Sequence, residues 1–313
     1  MDYLLLVIGL VVLVVGGDLL VRGAVGIAER LAISPLIIGL TIVSFGTSAP
    51  ELFISVDAAL IGSGGMAIGN VVGSNIANVL LVLGLPAIIH VTCCEENGIG
   101  RNIVVMIGFT LVFMAMLASG EIGRLFGGIL LVLLALFLWD QYRSATNGDA
   151  KEAPDYHDEI GDFSDSPQKS AIFAVGGILL LPIGAWLTVN NASSIAETWG
   201  VSDEVIGLTV VAIGTSLPEL AASIMAVIRK NTSVAIGNVV GSNIFNIAAI
   251  MGITAVISPL TVGPNIISSD MWVMLGAAAI LAAIAMIFKS IGRIAGLAMT
   301  LAYSVYVLAA LLF

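Results

Sequence analysis

Residues 67–76 read AIGNVVGSNI, and the same ten residues recur at 235–244, an offset of 168 positions. The same offset relates a second pair of motifs, GTSAPE at 46–51 and GTSLPE at 214–219. Chance does not produce an identical decapeptide in register with a second shared motif. The chain therefore contains an internal duplication, which is the first feature that a fold assignment has to respect.

The composition places this duplicated chain in a lipid bilayer. Of the 313 residues, 59% are apolar and only 10% are charged, and the mean hydropathy is +1.11. Soluble domains carry about 25% charged residues, so the composition excludes a soluble enzyme. The net charge of −10 disfavours nucleic acid as a partner, because nucleic-acid binders present a basic surface. We expect a multi-pass membrane protein with no obligatory protein partner.

The predicted fold is all-α, because charged and turn residues divide the chain into apolar stretches of about 20 residues, the length that spans a bilayer. We expect ten membrane-spanning helices, near residues 3–21, 33–61, 66–90, 102–118, 122–139, 170–189, 205–228, 233–256, 271–288 and 292–312. Residues 1–139 form the first repeat of five helices, and residues 170–313 form the second. The segment 140–169 has eight acidic and three basic residues, which is typical of a solvated linker.

Five helices in each repeat mean that the second copy crosses the membrane in the opposite sense to the first. Inverted repeats are typical of secondary transporters, which bind their substrate near the midplane where the copies meet. If the N-terminus lies outside, ten of the eleven Lys and Arg residues fall in inner loops, and only Arg124 lies outside. Because basic residues concentrate in cytoplasmic loops, both termini are predicted outside and the linker 140–169 in the cytoplasm.

Two acidic residues, Glu51 and Glu219, fall in the middle of apolar spans, where a charge costs about 2.5 to 3.5 kcal/mol to insert. A proline precedes each of them, and proline removes a helical hydrogen bond and breaks or kinks the helix. Freed carbonyls, nearby hydroxyls and the two carboxylates then form a set of oxygen ligands, which suits Ca²⁺ and can serve Na⁺. The candidate atoms belong to Glu51, Glu219, Thr47, Thr215, Ser48 and Ser216, with carbonyls from Ser44 to Gly46 and from Ala212 to Gly214.

The second motif places more polar groups on one helical face. In residues 69–78, Asn70, Ser74 and Asn78 recur every four positions. Its glycines form a small-xxx-small pattern, which lets a neighbouring helix approach closely. The second copy repeats the pattern with Gly237, Asn238, Gly241, Ser242 and Asn246.

Some asparagines of this motif have a second interpretation. For Asn70 and Asn238, hydrogen bonding between helices explains the residue type as well as ion contact does. Asn75 and Asn243 face elsewhere on the helix, and packing is the better interpretation. In the loop that follows the third span, His90, Cys93 and Cys94 lack the spacing of a metal site, and we interpret both cysteines as free thiols.

The paired GTSxPE and GNxxGSNI motifs resemble the sodium/calcium exchanger family of the calcium/cation antiporter superfamily, in its prokaryotic form. The resemblance implies ten helices in two inverted halves, with four central sites that hold either Na⁺ or one Ca²⁺. It implies a transporter rather than an enzyme, with no cofactor, in the plasma membrane. Glu51 and Glu219 would bind Ca²⁺ together with Thr47 and Thr215. Flanking Na⁺ sites would use Ser48, Ser74, Asn78, Ser216, Ser242 and Asn246, with the carbonyls of Ser44 and Ala212.

The counter-ion is expected to be Na⁺. The proton/calcium branch carries a His beside the motif glutamate, whereas no His lies near either motif here. Some relatives have Asp in place of Asn246, and the Asn of this chain argues against a K⁺ requirement. Two carboxylates neutralise one Ca²⁺, so three Na⁺ in its place would make exchange electrogenic, with Na⁺ entry driving Ca²⁺ extrusion. The alternatives are an H⁺/Ca²⁺ exchanger that uses the same site and a Ca²⁺-permeable channel.

Overall fold

A computed structural model describes residues 1–146, 166–201, 206, 210 and 212–312. Over these residues the chain is nearly all helical. Most of the predicted linker, residues 147–165, lies outside the described part, as do residues 202–205, 207–209, 211 and 313.

In the first half of the chain, each predicted span corresponds to a helix or to a pair of helices. They are α1 (Asp2–Leu31), α2 (Pro35–Thr47), α3 (Ala49–Leu60), α4 (Gly64–Ile89), α5 (Ile99–Leu117) and α6 (Arg124–Thr146). The second half contains α7 (Pro167–Thr198), α8 (Ala212–Thr215), α9 (Leu217–Ile228), α10 (Thr232–Ile257), α11 (Ile266–Phe288) and α12 (Arg293–Leu312).

Among the described residues, eight helices are long and apolar enough to cross a membrane. Helices α2 and α3 add a ninth span if the 45° bend between them is counted within one crossing. The remaining predicted span, 205–228, lies partly outside the described residues, and its second part is the apolar helix α9. The chain is therefore a nearly all-helical membrane protein over the part that is described.

Helices α1 and α7 are longer than the spans predicted at 3–21 and 170–189. Helix α1 continues through Asp18 and Arg22, which form an ion pair of 2.9 Å one turn apart. Arg229, directly after α9, also pairs with Asp18. Because the opposite charges neutralise one another, the helix continues past the charged residues at which the apolar stretch ends.

The two proline motifs break their helices as predicted. Ser48 leaves the helical conformation between α2 and α3, with φ −86° and ψ 7°, and Pro50 lies in the first turn of α3. Ser216 has nearly the same conformation, φ −87° and ψ 5°, between α8 and α9. Proline lacks an N–H group and clashes with the carbonyl four residues earlier, so a new helix begins in each motif.

Two short antiparallel ribbons join loops from the two halves. Strand β1 (Thr92–Cys93) pairs with β4 (Ser290–Ile291), and β2 (Glu121–Ile122) pairs with β3 (Leu260–Thr261). Adding 168 to the numbers of β1 gives those of β3, so each ribbon takes one strand from each copy. The two copies are therefore joined through both ribbons as well as through the helix core.

Helix α10 packs directly on the broken helix α2, so the small-xxx-small prediction is confirmed for Gly237 and Gly241. It is not confirmed for Gly69 and Gly73 in the first copy, where no neighbouring atom of the described residues lies within 4 Å of an added Cβ atom. A Cβ atom on Gly241 would lie 2.6 Å from the carbonyl oxygen of Leu40 and nearer still to the Ser44 hydroxyl. Because the clashing atom of Leu40 is a backbone oxygen, rotation of a side chain cannot relieve the clash. Glycine at 241 thus sets the separation of α2 and α10.

Gly241→Ala is expected to destabilise the protein by about 1 to 3 kcal/mol, because overpacking a close helix contact forces the backbone apart. The control is Gly108→Ala in α5, where no atom of the described residues lies within 4 Å of the added Cβ position. Melting temperature in detergent, followed by size-exclusion chromatography after heating, measures the difference. Equal melting temperatures for the two variants would contradict this packing.

Candidate ion-binding site

The two motif glutamates are buried at the starts of helices that face the centre of the protein. Glu51 lies in the first turn of α3 and is 1% exposed, and Glu219 lies in the first turn of α9 and is 0% exposed. The first N–H groups of a helix lack helical partners and favour negative charge. The helix breaks thus place each carboxylate where the backbone offsets part of its burial cost.

The copies meet at these carboxylates. The hydroxyl of Ser48, from the first motif, donates a hydrogen bond of 2.9 Å to Oε1 of Glu219 in the second motif. The Thr47 hydroxyl donates to Oδ1 of Asn238 at 3.1 Å. Thr47 is the last residue of α2 and Ser48 follows it, so both contacts join the end of α2 to the other half of the chain. The structure therefore brings together residues that are about 170 positions apart in the sequence.

Asn70 and Asn238 are used for hydrogen bonds between helices, in the same way in both copies. Nδ2 of Asn70 donates to the Ser55 hydroxyl at 3.0 Å and to the carbonyl oxygen of Glu51 at 3.3 Å. Nδ2 of Asn238 makes the matching bonds to Ser223 at 3.1 Å and to the Glu219 carbonyl oxygen at 3.2 Å. Each amide thereby fixes the helix turn that carries a motif glutamate.

Four asparagines link α4 and α10 at the point where these helices cross. Nδ2 of Asn75 donates to the backbone oxygen of Asn243 at 3.3 Å, and Nδ2 of Asn243 donates to that of Asn75 at 3.4 Å. Nδ2 of Asn78 donates to Oδ1 of Asn243 at 3.1 Å, and Nδ2 of Asn246 donates to Oδ1 of Asn75 at 2.9 Å. The packing role expected for Asn75 and Asn243 is thus a reciprocal hydrogen-bond network.

Wide π-helical turns begin at two of the predicted ligands. They span Asn78–Val82 in α4 and Asn246–Ile250 in α10, and the same offset of 168 relates them. A π turn shifts the register of the backbone and is frequent at functional sites. The local distortion therefore coincides with the residues that the sequence singled out.

The predicted ligands from the two motifs are almost all buried. Of their side chains, those below 5% exposure are Ser44, Thr47, Ser48, Glu51, Ser74, Asn78, Ser216, Glu219, Ser242 and Asn246. Thr215 is partly buried, and the side chain of Ala212 lies outside the description.

The carbonyl of Ser44, one of the predicted ligands, already accepts a hydrogen bond from the backbone N–H of Ser48 at 3.0 Å. In the second copy, the N–H of Ser216 donates to the carbonyl oxygen of Ile213 at 3.1 Å. The Ser44 hydroxyl lies within hydrogen-bond distance of two backbone carbonyl oxygens, that of Gly39 in α2 at 2.6 Å and that of Asn238 in α10 at 3.0 Å.

Buried oxygen atoms with no hydrogen-bond partner among the described residues mark the candidate site. Leaving a buried polar atom unpaired costs about 1 to 3 kcal/mol, so several from one predicted ligand set call for a compensating group. All of them are oxygens, and two belong to carboxylates, which is the chemistry that a cation prefers. These atoms are Oε2 of Glu51, Oε2 of Glu219, Oγ of Ser216, Oγ of Ser242, Oδ1 of Asn78 and Oδ1 of Asn246.

Ser55 and Ser223 are contacts that the motif analysis did not identify. Each lies one helical turn after a motif glutamate and accepts a bond from the asparagine of the partner motif. A signal for them is present in the sequence, since both are serine at the offset of 168. By contrast, the interpretation of Cys93 and Cys94 as free thiols is confirmed.

Comparisons with known proteins agree on one family. The family described as sodium/calcium exchanger protein matches residues 1–143 and 169–312. The inner membrane protein YrbG of Escherichia coli is 35% identical to this chain, and the match covers 87% of this chain and 84% of YrbG. The sodium/calcium exchanger MaX1 of Methanosarcina acetivorans is 32% identical, and the match covers 83% of this chain and 84% of MaX1.

A solved structure gives the same result for the fold. The sodium-calcium exchanger NCX_Mj, soaked with Na⁺ and Ca²⁺, matches with a TM-score of 0.83 and 32% identity. The match covers 97% of this chain and 96% of that one.

Asn238→Ala is expected to weaken Ca²⁺ binding about tenfold or more, because it removes the partner of Thr47 and frees the turn that carries Glu219. The control is Asn97→Ala, which removes an exposed asparagine far from both motifs in the sequence. Equilibrium binding of ⁴⁵Ca²⁺ to purified protein measures both affinities. Unchanged Ca²⁺ affinity in a folded Asn238→Ala protein would show that this amide does not support the site.

Proposed function

We propose that this chain, which belongs to the sodium/calcium exchanger family, exchanges Na⁺ for Ca²⁺ by alternating access at the oxygen site between its two copies. Membership in the family makes the chain a membrane antiporter and not an enzyme, with Na⁺ and Ca²⁺ as the ions that the family transports. The proposal concerns the driving ion, the residues and the direction of net charge movement.

The observation that carries the proposal is the pair of buried carboxylates with unpaired oxygens. Two negative charges in a low-dielectric interior repel each other and have lost their hydration. One Ca²⁺ between Glu51 and Glu219 neutralises both charges, with the hydroxyls of Thr47 and Thr215 as further ligands. A site without cargo leaves the charges uncompensated, which opposes a change of conformation and couples movement to ion binding.

Amide and hydroxyl oxygens beside the carboxylates favour Na⁺ as the counter-ion. Ser48, Ser74, Ser216 and Ser242 contribute hydroxyls, Asn78 and Asn246 contribute amides, and Ser44 and Ala212 contribute carbonyls. Such neutral oxygens bind a hard monovalent cation but do not accept a proton near neutral pH. An H⁺/Ca²⁺ exchanger is therefore the second candidate, and a Ca²⁺-permeable channel is the third.

Exchange of one Ca²⁺ for three Na⁺ moves net charge across the membrane. Each elementary charge that crosses the potential is worth about 2.3 kcal/mol per 100 mV. A cell interior that is negative thus favours Na⁺ entry coupled to Ca²⁺ extrusion.

The proposed topology has ten spans in two inverted halves, with both termini outside the plasma membrane. Under this topology the loops of β1 and β4 lie inside, and those of β2 and β3 lie outside, so each ribbon joins loops on one side. Side-chain contacts between helix ends have the same pattern. Arg101 pairs with Asp140 between inner ends, and Ser194 donates to Asp2 at 2.8 Å between outer ends.

The test of the exchange reaction is ⁴⁵Ca²⁺ uptake into proteoliposomes loaded with Na⁺ and diluted into Na⁺-free buffer. Uptake is expected only with internal Na⁺, and an inside-positive potential should speed it, because net positive charge leaves as each Ca²⁺ enters. Glu51→Gln and Glu219→Gln should each reduce uptake at least about tenfold, since one charge near a divalent ion is worth several kcal/mol. Glu121→Gln, an exposed carboxylate in β2, is the control.

Other outcomes of this assay assign the chain to the other candidates. Uptake driven by a pH gradient without Na⁺ would make it an H⁺/Ca²⁺ exchanger. Uptake into choline-loaded vesicles without any counter-ion would make it a channel. Full uptake by both glutamate variants would contradict the proposal that Glu51 and Glu219 form the Ca²⁺ site.

The topology is tested with a membrane-impermeant maleimide on intact cells. Cys93 in β1 is exposed and is expected to react only after permeabilisation, whereas Glu121→Cys in a Cys93→Ser background should react in intact cells. The second native thiol does not interfere, because burial raises the pKa of Cys94 to about 12 and a thiol reacts as its thiolate. Labelling of both positions from the same side would overturn the inverted topology.

A further inference from the structure

The amides of Asn78 and Asn246 can each present two very different atoms to a cation. Oδ1 attracts a cation and Nδ2 repels it, yet the two ends of an amide have nearly the same shape. Packing alone therefore does not decide which end faces the site. A carboxylate has no such ambiguity, because both of its atoms are oxygens. A site that uses asparagine needs a second group to set the orientation of each amide.

Backbone carbonyls provide that group, because a carbonyl oxygen can only accept. The carbonyl of Asn243 accepts from Nδ2 of Asn75 at 3.3 Å, and this bond fixes which way the Asn75 amide points. Oδ1 of Asn75 then faces Asn246. Because Oδ1 can only accept, Asn246 turns its Nδ2 toward it and donates a hydrogen bond of 2.9 Å. Oδ1 of Asn246 is left buried and without a hydrogen-bond partner among the described residues.

The equivalent series of hydrogen bonds in the other copy orients Asn78. The carbonyl of Asn75 accepts from Nδ2 of Asn243 at 3.4 Å, and Oδ1 of Asn243 accepts from Nδ2 of Asn78 at 3.1 Å. Oδ1 of Asn78 is likewise buried and unpaired. The same geometry in both copies means that the arrangement does not depend on one local contact.

Two methionines support the same orientation. Sδ of Met274 lies 3.9 Å from Nδ2 of Asn75, and Sδ of Met106 lies 3.6 Å from Nδ2 of Asn243. A thioether sulfur is a weak acceptor and never a donor. The opposite amide orientation would turn Oδ1 toward both a carbonyl oxygen and a sulfur, so two acceptor groups disfavour it in each copy.

We propose that Asn75 and Asn243 are positioning residues that direct the amide oxygens of Asn246 and Asn78 into the ion site and so set its affinity for Na⁺. This inference rests on the proposed function, in which those two amides bind Na⁺ and the glutamates bind Ca²⁺. The arrangement supplies two more oxygens to the site without adding a third negative charge.

The first variant is Asn75→Leu, which has similar volume but cannot orient Asn246. The Na⁺ concentration that displaces half of bound ⁴⁵Ca²⁺ from purified protein is expected to rise about tenfold, as for loss of one charge-assisted contact. Ca²⁺ affinity without Na⁺ should change much less, because Glu51 and Glu219 are intact.

The decisive measurement is a double-mutant cycle with Asn246→Asp, whose carboxylate needs no orientation. In the Asn75→Leu background, Asn246→Asp should restore Na⁺ affinity. With Asn75 present, the same change sets a carboxylate oxygen against Oδ1 of Asn75 and should bring no such gain. An added charge that acts by itself would give equal gains in both backgrounds, and that result would overturn the proposal.

Two controls keep the outcome interpretable. If Asn75→Leu does not fold, the equivalent double-mutant cycle of Asn243→Leu with Asn78→Asp tests the same orientation in the other copy. The binding assay needs no transport, so a failure of Na⁺-driven uptake in the unchanged protein is seen separately from a failure of this inference. Parallel losses of Na⁺ and Ca²⁺ affinity in Asn75→Leu would mean a packing role only, and would also overturn the proposal.

Discussion

The burial of two carboxylates against each other is the constraint on which the rest of the structure depends. Glu51 and Glu219 are almost completely inaccessible, and each keeps one carboxylate oxygen without a hydrogen-bond partner among the described residues. In an interior of low dielectric such a pair is costly unless a cation or a proton neutralises its charge. The helix breaks, close helix contacts and amide network all bring further oxygens to this point or hold it in place.

The broken helices reconcile a polar site with a membrane-embedded position. A continuous helix would present side chains but would keep its backbone polar groups within its own hydrogen bonds. The breaks at Ser48 and Ser216 instead start new helices at the carboxylates, whose N-termini favour negative charge. The π turns that begin at Asn78 and Asn246 adjust the crossing helices in the same layer.

The two copies share the site more closely than they share its surroundings. The bonds of Asn70 to Ser55 and of Asn238 to Ser223 match in length within 0.1 Å. Outside the site, however, Phe245 occupies the position where the first copy has Ala77, and it packs edge-on against Phe45 at 5.9 Å. The inner residues thus keep the same hydrogen bonds in both copies, whereas the packing around them differs between the halves.

The sequence by itself determined the membrane class, the duplication and the proline breaks, and it identified polar residues that are buried together, because hydropathy, repeat spacing and proline act through local chemistry. Only the tertiary structure decided how the asparagines are used. When each helix is considered alone, Asn75 and Asn243 are expected to be packing residues. Their role depends on which atoms of the other copy lie opposite them. Hydrogen bonds between residues 168 apart follow from the crossing of α4 and α10, which no local pattern in the chain specifies.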